Sequence, residues 1–285
     1  MMSRYFADRA SKSMVVICAA ISFSVLLLIA AFILKESLPA FAQIGLREFL
    51  LGGEWRPSEG QFGILTMIVG SICVAIGSLL LAVPLGVACA VFLAEVAPRR
   101  VREIFRPAVE LLVGIPSVVY GLVGMAALVP LVRQLGGSGF SILTAIIVLS
   151  AMVLPTIISI SEDSIRSVPA RYREAALSLG ATRWQTVWHV LLPAARSGIV
   201  AAAVLGIGRA VGETMAMIMV IGNSPIFPDS LLDSARTLTG NIAVEIAYAT
   251  GIHEHALFAT GVVLFIFIMV LNGLALVARR REVTR

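Results

Sequence analysis

Residues 14–34 read MVVICAAISFSVLLLIAAFIL, without one charged side chain. As a helix this run covers about 31 Å, the thickness of a bilayer's hydrocarbon core. Further apolar runs follow at 63–93, 108–132, 141–160, 198–221 and 256–278. Runs of this length place the chain in a membrane. In hydrocarbon, every backbone N–H and C=O must bond within the protein, which leaves helices or a closed barrel. Barrel strands alternate over about ten residues, and these runs do not. The predicted fold is all-α and polytopic, with six transmembrane helices. Composition agrees: of 285 residues, 59% are hydrophobic and 14% charged, against about 25% charged in a soluble domain.

Two runs need a decision. The first, preceded by Arg4, Arg9 and Lys12, could open a cleaved leader, but it exceeds the 7–15 apolar residues of a signal peptide. A retained anchor is expected. The second, 63–93, would be about 46 Å long if straight. It is either one tilted helix, with Pro84 allowing a kink, or a tight hairpin. Charge selects the single helix. Arg99, Arg100, Arg102 and Arg106 follow it, and positive loops should share the side of the basic N-terminus. With both termini inside, only Lys35, Arg47, Arg56, Arg133 and Arg236 of the 22 Lys and Arg fall outside, and Arg209 lies within a span. A multi-pass membrane protein with both termini on the inside is expected.

Several chemistries find no support. The net charge of +5 is spread over loops beside apolar runs, which is a topology signal and not a nucleic-acid surface. Cys18, Cys73 and Cys89 fit no metal or redox spacing. "HEH" at 253–255 lacks the i, i+4 histidines of a zinc helix and reads as loop surface. The only lysines, Lys12 and Lys35, lie in no G-x-x-x-x-G-K-[ST] phosphate loop, so the chain has no nucleotide site of that kind.

The inside loop 162–196 has its own helical signals. Pro169 suits a first helical position. Tyr172, Ala175, Ala176 and Leu179 then mark one apolar face. Gly180 suits a C-cap, and Thr182 with Gln185 forms a capping-box pattern. Trp184, Val187, Trp188 and Leu191 repeat the face before Pro193. A short helical hairpin is predicted, packed beneath its own bundle or docked on another protein.

The stretch EAALSLGATRWQTVWHVLLP (174–193) resembles the EAA motif of ABC importer permeases. Glu174, Ala175, Ala176, Gly180, Leu192 and Pro193 match, and Val190 stands where the motif has isoleucine. ELLVGIPSVVYGLVG (110–124), GRAVGETMAM (208–217), IGNSP (221–225) and ARTLTGNIAVEI (235–246) are similar to phosphate importer permeases of the PstC type. The resemblance covers most of the chain from about residue 60. It implies a MetI-like, type I permease core over 63–285, with a coupling hairpin at 162–196 and an outer loop at 222–255. Residues 1–62 supply the N-terminal tail, first helix and first outer loop. The resemblance also implies a second, PstA-type permease, two PstB-type ATP-binding subunits and a PstS-type extracytoplasmic phosphate-binding protein. ATP and Mg would be bound by the ATPase partners, with no cofactor in this chain.

Arg209 and Glu213 stand inside the fifth run. A charge at mid-membrane costs about 2.5–3.5 kcal/mol on insertion scales, so such residues face a bundle interior or a wet path. On a continuous helix the i, i+4 pair shares a face. Gly208 and Gly212, at the same spacing, would permit close helix approach. The pair is either a neutralised structural contact or part of an anion path. Arginine matches phosphate oxygens. A carboxylate can accept a hydrogen bond from the proton that hydrogen phosphate keeps, and would repel sulfate, which has none. The resemblance favours a substrate path. Other readings are a permease for molybdate or sulfate, a membrane-embedded enzyme, and a stand-alone ion-coupled transporter. Two further features complete the expectations: GIPSVVYG (114–121) marks either a kinked or partly unwound stretch of the third span or ordinary helix packing, and Leu238, Ile242 and Ile246 form one face of a short helix in the last outer loop.

Overall fold

The computed structural model describes residues 2–283, with side chains described for 11–273. Helices dominate. α1 (Met2–Ile44) is followed by short α2 (Leu46–Leu51) and a two-stranded hairpin, β1 (Trp55–Arg56) and β2 (Gln61–Phe62), paired antiparallel. α3 (Leu65–Val91) continues through a π turn at Phe92–Val96, so the long second run is one uninterrupted helix. α7 (Ile142–Arg166), α10 (Leu192–Gly212) and α13 (Ile252–Val283) supply the remaining long helices. Among the described residues five helices are long and apolar enough to cross a membrane, and a bent pair makes a sixth.

That bent pair moves the start of the third span, expected at 108–132. α4 (Arg99–Val113) and the segment Ser117–Arg133 meet at 98°. The break falls on Gly114, Ile115 and Pro116, where the sequence admitted a kink; Pro116 has no N–H to continue the ladder. Residues 108–113 therefore belong to α4, and the crossing runs through α5 (Ser117–Val123), a π turn at Gly124–Leu128 and α6 (Val129–Arg133).

α7 is the central span and packs chiefly on α3 and α10. Leu149, Met152, Val153 and Ile157 of α7 join Val74 and Ala82 of α3 and Ala202 and Ala210 of α10 in the main core. Gly86 of α3 faces Ile157 so closely that an added Cβ would lie 2.7 Å from its Cγ2. The two ends of α3 enter different clusters. Its start packs with Ala40, Phe49, Trp55, Phe62 and the first turns of α13. Its far end, Ala90 and Val91, packs with Val187, Leu191 and Ala195.

The fifth run breaks too. α10 ends at Gly212, Glu213 is extended (φ −69°, ψ 126°), and a new helix, α11 (Met215–Val220), follows. In the next loop α12 (Leu238–Glu245) forms, but its buried face differs from the expected one. Leu238 is buried, Ile246 is exposed, and polar Thr239, Asn241 and Glu245 point inward. The HEH triplet is not loop surface either. It lies in the first turn of α13, where His253 Nε2 is 2.8 Å from Glu245 Oε2 and His255 Nδ1 is 2.8 Å from the Glu36 carbonyl.

Candidate functional site: a broken span and its basic group

Arg209 lies in the last turn of α10. Its Nη1 donates a long hydrogen bond, 3.4 Å, to Thr156 Oγ1 of α7. The Tyr120 hydroxyl of α5 is within Coulombic reach of the guanidinium. Tyr120 in turn donates to the Leu112 carbonyl at 3.0 Å, bridging the break between α4 and α5. One cation, two hydroxyl side chains and a discontinuous helix thus converge from α5, α7 and α10. Half-buried Arg209 has no carboxylate partner among the described residues, and four of its five N–H groups make no bond there.

The expected Arg209–Glu213 pair does not form. The helix stops between them, so the two side chains do not share a helical face. Glu213 is buried, and its Oε1 accepts from the Ala216 N–H at 3.1 Å, satisfying one of the free donors that begin α11. Its carbonyl accepts from Thr239 Oγ1 at 3.1 Å. The break is therefore held from outside by α12. Among the described residues a Cβ at Gly208 or Gly212 would meet no atom within 4 Å. The close approaches are made instead by Gly86 and by Gly121, which sits against Ala216 and Met219 of α11.

The hairpin forms as its local code requires. α8 spans Ala170–Ser178, Gly180 adopts φ +84°, and α9 spans Arg183–Thr186. Thr182 and Gln185 make both bonds of the capping box, 2.8 and 3.3 Å. Pro193 does not end the second helix as expected. A π turn at Val187–Leu191 leads directly into α10, with Pro193 in its first turn. The predicted apolar faces are divided. Ala176, Val187 and Leu191 are buried, whereas Tyr172, Leu179, Trp184 and Trp188 are exposed. Glu174 and Ala175 are exposed as well, and Leu192 is half-buried.

A buried polar cluster escaped the sequence reading. Glu245 receives Arg236 Nη1 and, at 2.8 Å, Trp55 Nε1, besides its contact with His253. Arg236 also donates to the Asn223 carbonyl and to Asn241 Oδ1, each at 2.9 Å. A second omission is Glu95, in the π turn that ends α3, which pairs with Arg173 of α8.

A bundle of apolar, partly discontinuous spans with a helical hairpin at one end and an arginine inside defines a polytopic membrane protein. The chain belongs to the family described as binding-protein-dependent transport system inner membrane component, which matches residues 82–282. It is 41% identical to the probable ABC transporter permease protein YqgH of Bacillus subtilis, over 96% of this chain and 92% of that protein. It is 39% identical to the phosphate transport system permease protein PstC of Xylella fastidiosa, over 76% and 74%. In fold it is similar to a bacterial ABC transporter that imports alginate, with TM-score 0.66 over 92% of both chains at 20% identity. It is also similar to the MetNI methionine ABC transporter, with TM-score 0.57 over 77% and 94% at 21% identity.

Proposed function

We propose that this chain is the PstC-type permease of an ATP-driven importer of inorganic phosphate, with Arg209 as the anion-binding group of the translocation path. The observation that carries this reading is the guanidinium of Arg209, set within a span without a carboxylate partner among the described residues, bonded only to Thr156 there and within electrostatic range of Tyr120. An arginine in that state is a binding site in waiting, because its planar donors match tetrahedral oxyanions. Glu213 lies one helix break away with its second oxygen unbonded among the described residues. That oxygen would accept a hydrogen bond from the P–OH of hydrogen phosphate and repel sulfate, which has no proton to donate.

Gly208 and Gly212 leave open space beside this site, and a PstA-type second permease would close it. The hairpin, with exposed Trp184 and Trp188, would dock on one of two PstB-type ATPases on the cytoplasmic side, through the segment from Glu174 to Pro193. A PstS-type binding protein would deliver phosphate at the opposite end. Both termini are then cytoplasmic. ATP binding would draw the hairpin and switch the cavity, and hydrolysis would reset it.

The test is uptake of labelled phosphate into vesicles holding the full complex, with ATP on the hairpin side and unlabelled sulfate or molybdate as competitors. ATP-dependent uptake that resists both competitors and falls at least about tenfold in Arg209→Gln is expected, as loss of one charge-assisted contact predicts. Full activity in Arg209→Gln would refute the role of the arginine. Uptake of sulfate or molybdate in place of phosphate would refute the substrate.

A further inference from the structure

α8 carries the Glu-Ala-Ala segment of the hairpin, yet it packs mainly against the rest of that hairpin. Its apolar anchorage is slight: Ala176 is its single buried residue. A groove of about 510 Å³ separates it from the end of α3, lined among others by Glu95, Arg102, Arg173, Leu177 and Trp184. Across that groove runs one side-chain hydrogen bond, from Arg173 Nη2 to Glu95 Oε1, and among the described residues no other side-chain bond joins α8 to a span.

The position of Glu95 gives this contact its reach. It lies within the π turn Phe92–Val96, with its side chain only 11% exposed. The same turn is gripped from the other side by Arg102 of α4, whose Nε and Nη2 donate to the carbonyls of Leu93 and Ala94 at 2.7 and 3.0 Å. α4 leads through the break at 114–116 to Tyr120, whose hydroxyl is within electrostatic range of Arg209. α3 itself packs along α7, which carries Thr156. One π turn thus meets the hairpin through Glu95 and the helices of the arginine site through α3 and α4. A π turn is a locally widened, adaptable stretch of helix that recurs at functional positions.

We propose that Glu95 is a positioning residue that transmits the displacement of α8 to α3 and α4, so that the Arg173–Glu95 pair links ATP hydrolysis to anion movement. The proposal rests on the reading of 174–193 as the ATPase-docking segment. A displaced α8 has no broad apolar interface through which to pull. A charge-assisted hydrogen bond to a side chain rooted in the helix end can bear that role, because it is directional and roughly twice as strong as a neutral one.

The experiment measures phosphate transported per ATP hydrolysed in vesicles holding the full complex, for wild type, Glu95→Gln, Arg173→Gln and the exchanged pair Glu95→Arg with Arg173→Glu. Co-purification of the ATPase with each permease is measured alongside. The expected result is that both single variants retain the ATPase and hydrolyse ATP, while transport per ATP falls at least about fivefold, and that the exchanged pair recovers much of the loss. A role confined to holding the fold would lower assembly and hydrolysis together and leave the ratio unchanged. An unchanged ratio in the single variants overturns the proposal, as does an exchanged pair no better than they are. Glu95→Asp, which keeps the charge on a shorter arm, supplies the same ratio if Glu95→Gln does not assemble. Failure of the docking reading is seen separately: the wild-type permease then would not retain the ATPase at all.

Discussion

Glu245 shows what a single buried charge can hold together. Its two oxygens serve Arg236, Trp55 and His253, which come from the loop before α12, the β hairpin and the start of α13. The Arg236 side chain is somewhat less enclosed, 11% exposed, and makes three bonds among the described residues. Removing one member of a buried pair leaves the other charged, desolvated and unmatched, which costs about 3–5 kcal/mol. Glu245→Ala is therefore expected to lower the thermal midpoint of the purified complex strongly. Glu245→Gln, which keeps an oxygen for the Trp55 N–H, is expected to cost less. Equal and negligible shifts in both would mean that Arg236 is satisfied by Asn223 and Asn241 alone. None of this was legible locally. Trp55 and Glu245 are 190 positions apart, and no short-range pattern marks either. Arg209, in contrast, was conspicuous from sequence because a charge in an apolar run is costly wherever the chain goes. Its relation to Glu213 was misread because the apolar run continues past the point where the helix ends. Nothing local announces the Thr239 hydrogen bond that holds the break.

Three π turns, at Phe92–Val96, Gly124–Leu128 and Val187–Leu191, are each followed two residues later by a proline: Pro98, Pro130 and Pro193. Where the helix continues through the proline, as at Pro130 and Pro193, the ring crowds the carbonyl one turn before it and the widened turn accommodates it; Ala97 and Pro98 are extended, so the first π turn ends α3 instead. The prolines were visible in the sequence, but their effect was not. Pro193 reads as a helix end, whereas the chain passes through it into α10 because the bundle on both sides rewards continuity. The hairpin turn itself was fully legible, since its determinants are adjacent residues. Gly180 has φ +84° and open space where a Cβ would stand. In Gly180→Ala the cost is thus confined to backbone strain, about 1–2 kcal/mol. The substitution is expected to leave assembly intact and to reduce ATP-driven uptake several-fold by reorienting α8 against the ATPase. Gly180→Asn, which tolerates the left-handed region, is expected to retain more activity. Identical uptake in Gly180→Ala and wild type would show that the angle between α8 and α9 is not transmitted.

At the scale of the whole chain, orientation decides whether hairpin and ATP are on the same side. The number and order of spans follow from apolar length alone, and the structure agrees with six crossings when the bent pair is taken as one. The direction rests on arginine placement, a bias in insertion that leaves no trace in packing. It can be measured at two sites. Ser58, in the turn between β1 and β2, and Ser178, at the end of α8, lie toward opposite ends of α3 by the clusters they adjoin. In a variant with Cys18, Cys73 and Cys89 replaced by alanine, Ser58→Cys is expected to react with a membrane-impermeant maleimide added to intact cells. Ser178→Cys is expected to react only after permeabilisation. The reverse pattern would place the Glu-Ala-Ala segment outside, away from ATP. No ATPase could then act through the hairpin, and the importer reading would fail, however well the Arg209 site suits an anion. The expected pattern would put Arg209 on the path of an anion moving inward, with the driving subunit anchored at α8.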